Sequence, residues 1–158
     1  MKIEAIGTIE SPFKCPEDMP IQPSGARGKR GRIRLNPDLV AGLADMDGFS
    51  HIIVLYFFHQ VKEIQLTVRP FLDQQEHGVF ATRAPTRPNS IGLSILKLNS
   101  IDGCVLEVEN IDILDGTPLL DIKPYVPEFD QPADAVRVGW LEKKAQDSHS
   151  ARSDQRFN

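Results

Sequence analysis

The apolar runs in this chain are short and separated largely by Pro, Gly and Asp-Gly punctuation, which leaves room for strands and little for helices. The most apolar of them, Ile52 to Phe58, has strand length and ends at His59. The wider stretch Phe49 to Phe58 is continuously hydrophobic and rich in β-branched and aromatic residues, which predicts a core strand buried on both faces. Further strands are expected at Ile3 to Ile9, Gly31 to Leu35, Leu66 to Arg69, Val79 to Thr82, Gly92 to Ser100, Val105 to Val108 and Pro118 to Ile122. Asp102-Gly103, between two of these, predicts a tight hairpin. A single helix is signalled at Asn36-Pro37, with Asn36 as its cap and Pro37 at the tolerated first position, ending near Asp45 to Gly48. About seven short strands with one short helix make an all-β fold, a barrel or a sandwich, and the strand–helix alternation of a Rossmann fold is absent.

With 158 residues and 41% hydrophobic content, the chain suits one domain with a core. That domain is expected over residues 1–140, followed by a short polar tail over 141–158 that is helical or disordered from about Lys143. No run approaches the roughly 20 apolar residues of a membrane span. The first residues, Met1-Lys2-Ile3-Glu4, resemble no secretory signal, so no membrane and a cytoplasmic location are expected. Cys15 and Cys104 have no second ligand at metal-binding spacing, so no metal is expected and both thiols are expected to be reduced.

Three segments ask for a chemical reading. From Pro12 to Gly28 the chain carries Pro12, Pro16, Pro20, Pro23, Gly25 and Gly28, a loop longer than a compact domain ordinarily keeps without a function. It runs into Arg27, Lys29, Arg30, Arg32 and Arg34, uninterrupted by an acid although the net charge is −4. This cluster reads as a phosphate-binding surface or as a solvated loop. Arg83 and Arg87 lie in a proline-stiffened stretch from Gly78 to Gly92, which reads as an anion site or as a surface loop whose guanidinium groups satisfy carbonyls and acids. The run from Asp112 to Tyr125 contains Asp115-Gly116-Thr117-Pro118, a chain reversal or a source of carboxylates for a ligand's hydroxyls. His59-Gln60 ends the core strand, where a histidine is a hydrogen-bonded terminus or a general base.

Five blocks, in order, resemble the TrmO/TsaA-like family. They are IGTIESPF from Ile6 to Phe13 with Pro20-Ile21-Gln22 beyond it, GFSHIIVLYFFHQ from Gly48 to Gln60, VRPFLD from Val68 to Asp73, GVFATRAPTRPNSIGLS from Gly78 to Ser94, and LDGTPLLDIKPYVP from Leu114 to Pro127. The resemblance covers about Ile3 to Pro127. It implies a closed antiparallel β-barrel, S-adenosylmethionine as methyl donor, a homodimer with the cofactor site near the subunit interface, and N6-methylation of threonylcarbamoyladenosine beside the tRNA anticodon. Carried over by position, the cofactor contacts fall on Pro20, Ile21, Gln22, His59, Gln60, Arg83, Leu93, Leu114, Asp115, Gly116 and Thr117, with His59 and Asp115 as candidate bases. The Arg27 to Arg34 cluster becomes a candidate tRNA contact. The family's RPNPIG stands here as RPNSIG, with Ser90 in place of proline, and only about thirty residues come after Pro127 where longer members have a further domain. Two other readings stay open: methylation of a different acceptor, and a non-catalytic regulator that binds the cofactor as a signal.

Overall fold

The computed structural model describes residues 2–17, 19–142, 144, 147, 149–154 and 157. Its strands are β1 (Gly7–Glu10), β2 (Arg30–Leu35), β3 (His51–Phe57), β4 (Thr67–Val68), β5 (His77–Gly78), β6 (Ile91–Asp102), β7 (Val105–Glu109) and β8 (Thr117–Pro124). Six of them close into an antiparallel barrel in the order β1–β2–β7–β6–β3–β8, and β4 and β5 form a separate two-stranded ribbon. Alternation explains the closure. Ile9, Ile33, Leu35, Ile52, Val54, Tyr56, Leu96, Leu98, Leu106, Val108 and Leu119 all point inward and are buried, so one hydrophobic core fills the barrel.

β3 is less enclosed than its composition suggests. Ile53 and Leu55 are half-buried and Phe57 is exposed, because among the described residues no second sheet packs over the outer face of β3. Cross-strand partners there are Ile53 with Ile95, Leu55 with Leu93, and Phe57 with Ile91, which make an apolar strip on the outside of the barrel.

The expected helix after Asn36 is a correction. Pro37–Leu43 and Met46–Gly48 are 3-10 turns. Asn36 caps nothing with its side chain, and its Nδ2 instead donates to the Ala5 carbonyl at 3.4 Å. No residue of either turn is fully buried, so the segment lacks the apolar face that would stabilise an α-helix of this length. The one α-helix among the described residues, α1, is Pro127–Asp130. Likewise Val79–Ala81 is a 3-10 turn instead of a strand, with only Val79 buried. The β6–β7 hairpin forms as expected, but its two turn residues are Gly103 and Cys104, one position later, because Asp102 still pairs with Val105. Gly103 supplies the positive φ of 56° that such a turn needs first.

Lys143, from which the polar tail over 141–158 was expected to be helical or disordered, lies outside the described residues. Beyond it the described residues return to the long loop. Arg152 bridges Pro20, the Ser153 N–H donates to the Met19 carbonyl at 2.8 Å, and Phe157 packs with Val68, Val79, Ala84 and Phe71 in a second apolar cluster. No helix among the described residues is long and apolar enough to cross a membrane.

Gly92 sits opposite Tyr56 in the β3–β6 register, and a Cβ there would lie 2.3 and 2.5 Å from Tyr56 ring atoms. Gly92→Ala should therefore cost about 1–3 kcal/mol through overpacking, read as a lowered urea midpoint at unchanged slope.

Candidate active site

A cavity of about 990 Å³ opens beside the β3–β6 side of the barrel. Its walls come from the long loop, the turn after β3, the 79–87 loop, the outer edge of β6 and the segment leading into β8. Of the residues singled out in the sequence, Pro20, Ile21, Gln22, His59, Gln60, Arg83, Leu93, Leu114 and Thr117 line it. Residues up to ninety-odd positions apart thus meet at one place. Asp115 and Gly116 do not line the cavity. Asp115 Oδ1 accepts the Ser11 N–H at 2.9 Å and Oδ2 pairs with Lys14 Nζ at 2.6 Å, and the lysine, then the Ser11 bond, hold its carboxyl below the usual carboxylate range. Gly116, at a φ of 76°, turns the chain and donates to the Ile9 carbonyl at 2.9 Å. Both shape the reversal before β8, which Thr117 Oγ1 closes by donating to the Leu114 carbonyl at 2.7 Å.

The two arginines of the proline-rich stretch divide in role. Arg87 Nη1 donates to the carbonyls of Thr82, Val79 and Ala84 at 2.9, 3.2 and 3.4 Å, so its guanidinium holds the loop together from within. Arg83 is exposed at the cavity and donates from Nη1 to Gln22 Oε1 at 3.0 Å, bridging the long loop and the 79–87 loop. Ser90, where the family pattern has proline, donates from Oγ to the Arg87 carbonyl at 3.1 Å, which restores by hydrogen bonding some of the restraint a ring would supply. On the rim, Trp140 stacks on His77 with centroids 4.4 Å apart and donates from Nε1 to the Ala81 carbonyl at 2.8 Å. His77 in turn contacts Asp73 at 3.1 Å, and Lys144 pairs with the same carboxylate at 2.7 Å; together, the lysine first, they hold Asp73 well below its ordinary range.

The sequence reading singled out neither Tyr56 nor Ser94 and named Asp112 only as the start of a carboxylate-bearing run; Tyr56 and Asp112 line the cavity, and Ser94 is bonded to both. Tyr56 and Ser94 occupy inward positions of β3 and β6 that are otherwise apolar, and Asp112 lies between the fully buried Ile111 and Ile113. Ser94 Oγ donates to Asp112 Oδ1 at 2.7 Å and lies 3.1 Å from Tyr56 Oη. A hydroxyl has one proton, so Ser94, having given its own to Asp112, accepts from Tyr56. The chain of donation runs Tyr56 to Ser94 to Asp112. Burial pushes the Asp112 carboxyl up to about 7, against the opposing pull of Ser94 and Arg83. Burial, followed by the nearby Asp112, pushes the Tyr56 phenol up as well. A signal was present: Ser94 stands in the buried register of an alternating strand, and an acid interrupts an Ile-x-Ile pair.

Arg27, Lys29 and Arg30 are exposed around the start of β2. Arg32 Nε pairs with Glu107 at 2.8 Å and Arg34 Nε with Glu10 at 3.0 Å, across the barrel strands; the Glu10 bond raises Arg34 above its ordinary value. The acids absent from the run in sequence are therefore supplied to Arg32 and Arg34 by neighbouring strands, and among the described residues no ion pair is formed by Arg27, Lys29 or Arg30.

A family model described as the tRNA-methyltransferase O N-terminal domain matches residues 8–131. The chain belongs to the TrmO family. A protein of Pyrococcus abyssi named "Probable S-adenosyl-L-methionine-binding protein" is 53% identical over 152 residues, covering 96% of this chain and 82% of that protein. The human tRNA (adenine(37)-N6)-methyltransferase is 36% identical over 142 residues, covering 84% of this chain but 32% of the human one. The crystal structure of TrmO from Pseudomonas aeruginosa superimposes with a TM-score of 0.73 at 41% identity, covering 89% of this chain and 62% of that one. The chain thus spans most of the Pyrococcus relative and a smaller share of the human and Pseudomonas proteins. The barrel that the TrmO resemblance implied is the barrel observed, with six strands in the closed sheet.

The raised Asp112 carboxyl makes stability pH-dependent. Its proton is held more tightly in the folded state, so its contribution is complete below about pH 4 and is lost as pH rises through about 7. Between about pH 5 and about pH 8 the Tm of Asp112→Asn should rise relative to the wild type, and a gap independent of pH would refute the assignment.

Proposed function

We propose that this protein is an S-adenosylmethionine-dependent tRNA methyltransferase that modifies N6 of the adenine at position 37, and that the adenine it takes carries the threonylcarbamoyl group. The observation that carries the reading is the cavity itself, where residues from five separate segments of sequence meet in a TrmO barrel. Its donor set suits the cofactor. The Arg83–Gln22 bridge offers a fork for the amino-acid carboxylate, main-chain groups near Leu93 and Leu114 suit an adenine edge, and apolar walls suit the body of the ligand. Pro20, Ile21, His59, Gln60 and Thr117 complete the proposed contacts, while Asp115 and Gly116 act by shaping the turn. S-adenosylmethionine would supply an electrophilic methyl group on a sulfonium sulfur. The protein's part is then to hold the acceptor nitrogen in line with it.

For the RNA we propose Arg27, Lys29 and Arg30 as phosphate contacts, with Arg32 and Arg34 contributing less because each already has a carboxylate partner. We further propose that two copies associate through the outer strip of β3 and β6, where Phe57, Leu93, Ile91 and Ile95 are 42%, 45%, 37% and 37% exposed. Leu93, Ile91 and Ile95 also line the cavity, so an interface there would border the site. The names of the archaeal relatives support cofactor binding and stop short of an acceptor. This keeps a binding-only regulator as the competing reading, to be separated by turnover on tRNA.

Calorimetry with S-adenosylmethionine, followed by methyl transfer to tRNA bearing threonylcarbamoyladenosine, tests the proposal. Arg83→Ala should weaken cofactor binding by about 1.5–3 kcal/mol, and unchanged affinity would remove it from the site. Replacing Arg27, Lys29 and Arg30 by Gln should leave that affinity alone and lower the salt slope of tRNA binding by about two to three; an identical slope would make the cluster a solvated face.

A further inference from the structure

We propose that Asp112 takes the proton released by the acceptor nitrogen during methyl transfer, with Ser94 and Tyr56 as positioning residues that hold its carboxyl group at the cavity wall. The inference rests on the methyltransferase reading above and names the base that reading lacks. Of the two bases suggested by sequence, Asp115 faces away from the cavity, towards Ser11 and Lys14, and His59 stands exposed at its mouth. Asp112 is 8% exposed and borders the cavity, and none of the ion pairs among the described residues includes it.

Burying an unpaired carboxyl between two isoleucines is expensive, and an apolar side chain there would be cheaper for the fold. Ser94 and Tyr56 show that the cost is met by a dedicated arrangement. Both hydroxyls spend their protons in one direction, ending on Asp112, so the chain presents a fixed acceptor instead of a fluctuating network. Gly92 leaves space for the Tyr56 ring, and Phe58 packs edge-on against it at 5.4 Å, which fixes the far end of the chain.

The chemistry needs such an acceptor. The lone pair of the acceptor nitrogen forms a bond to the methyl carbon, the carbon–sulfur bond breaks with its electrons passing to sulfur, and the sulfonium becomes a neutral thioether. The nitrogen then carries a surplus positive charge until its N–H proton leaves. That proton passes to the Asp112 carboxylate, which becomes a neutral acid, and solvent at the open cavity reclaims it. A group that titrates near 7 suits both halves of the cycle. The charged or titratable side chains facing Asp112 are Arg83 from the 79–87 loop, which favours its ionised form, and Tyr56 from β3, which stays protonated; Ser94 from β6 is the neutral donor. A cationic donor in the cavity would add to the effect of Arg83, so binding should itself drive a proton off Asp112.

The test compares wild type with Asp112→Asn and Ser94→Ala, using S-adenosylmethionine and the same modified tRNA. Asn keeps an oxygen for Ser94 and cannot take a proton. Single-turnover transfer by Asp112→Asn should fall about 10²-fold or more, with cofactor affinity within about threefold of wild type. The wild-type rate of the cofactor-loaded enzyme should rise with pH over a range lying below the free group's value of about 7, and this rise should be absent in the Asn variant. Calorimetry in buffers of different ionisation enthalpy should show proton release on cofactor binding just below about pH 7 in wild type and none in Asp112→Asn. Ser94→Ala removes the bond that stabilises the carboxylate, so its rate profile should move to higher pH; this variant carries the test if the Asn variant does not fold. Transfer at the wild-type rate by Asp112→Asn, a profile unmoved in Ser94→Ala, or an Asn variant that loses the cofactor would each overturn the inference. The sole tryptophan, Trp140, lines the cavity, so its fluorescence gives an independent check of occupancy in every variant. A wild type that binds S-adenosylmethionine and methylates nothing would instead overturn the functional reading.

Discussion

Closure of the sheet is the constraint on which the other features rest. β8 pairs with β3 on one side and with β1 on the other, through Gly7–Leu119, Thr8–Pro118 and Ile9–Thr117, and this short contact removes the last free edge. It is not a uniform cylinder. The β3–β8 register shifts between Leu55 and Tyr56, so that Leu55 faces Asp121 while Tyr56 faces Leu119. The extra residue, Leu120, lies on β8, so it is that strand that bends, while the inward–outward alternation of β3 runs unbroken from Ile52 through Val54 to the tyrosine that enters the barrel beside Ser94. The polar chain at the cavity wall therefore follows from the regular alternation of β3 and β6 within the closed sheet.

Inside and outside have separate duties on the same strands. Along β6, Ser94, Leu96 and Leu98 point to the core while Leu93 and Ile95 point to the cavity side, an arrangement a two-residue period imposes without further instruction. The long loop and the 79–87 loop then complete the cavity and are tied to each other by the Arg83–Gln22 bond. Arg87 adds three hydrogen bonds to carbonyls of the second loop, beside the small apolar cluster into which Val79 and Ala84 pack.

Much of the barrel was legible because period-two alternation survives in β2, β6 and β7 and because punctuation marks the ends. Where the reading failed, the competing physics is identifiable. Asn36-Pro37 has the local chemistry of a helix start, but the segment up to Gly48 buries no continuous face, and two 3-10 turns result. Phe49 to Phe58 looked buried on both sides because composition records how apolar an outer face is and says nothing of what covers it. At the cavity, the loop residues were found through their resemblance to a family, and the geometry gathers nine of the eleven. Asp112 could not be picked out from the acids of its segment until its depth was known, since Asp115, three residues on, has the same side chain in the opposite electrostatic setting.

The exchange of proline for Ser90 has a thermal consequence. A pyrrolidine ring restrains a loop by limiting the unfolded chain, a contribution that grows in weight with temperature, whereas the Ser90–Arg87 bond is an enthalpic restraint that heat weakens. The Phe58 N–H donates to the Ser90 carbonyl, so loosening of that one link would be felt at the phenyl ring that steadies Tyr56. Where the family pattern keeps proline, this chain has traded a restraint that gains weight on warming for one that is strongest in the cold.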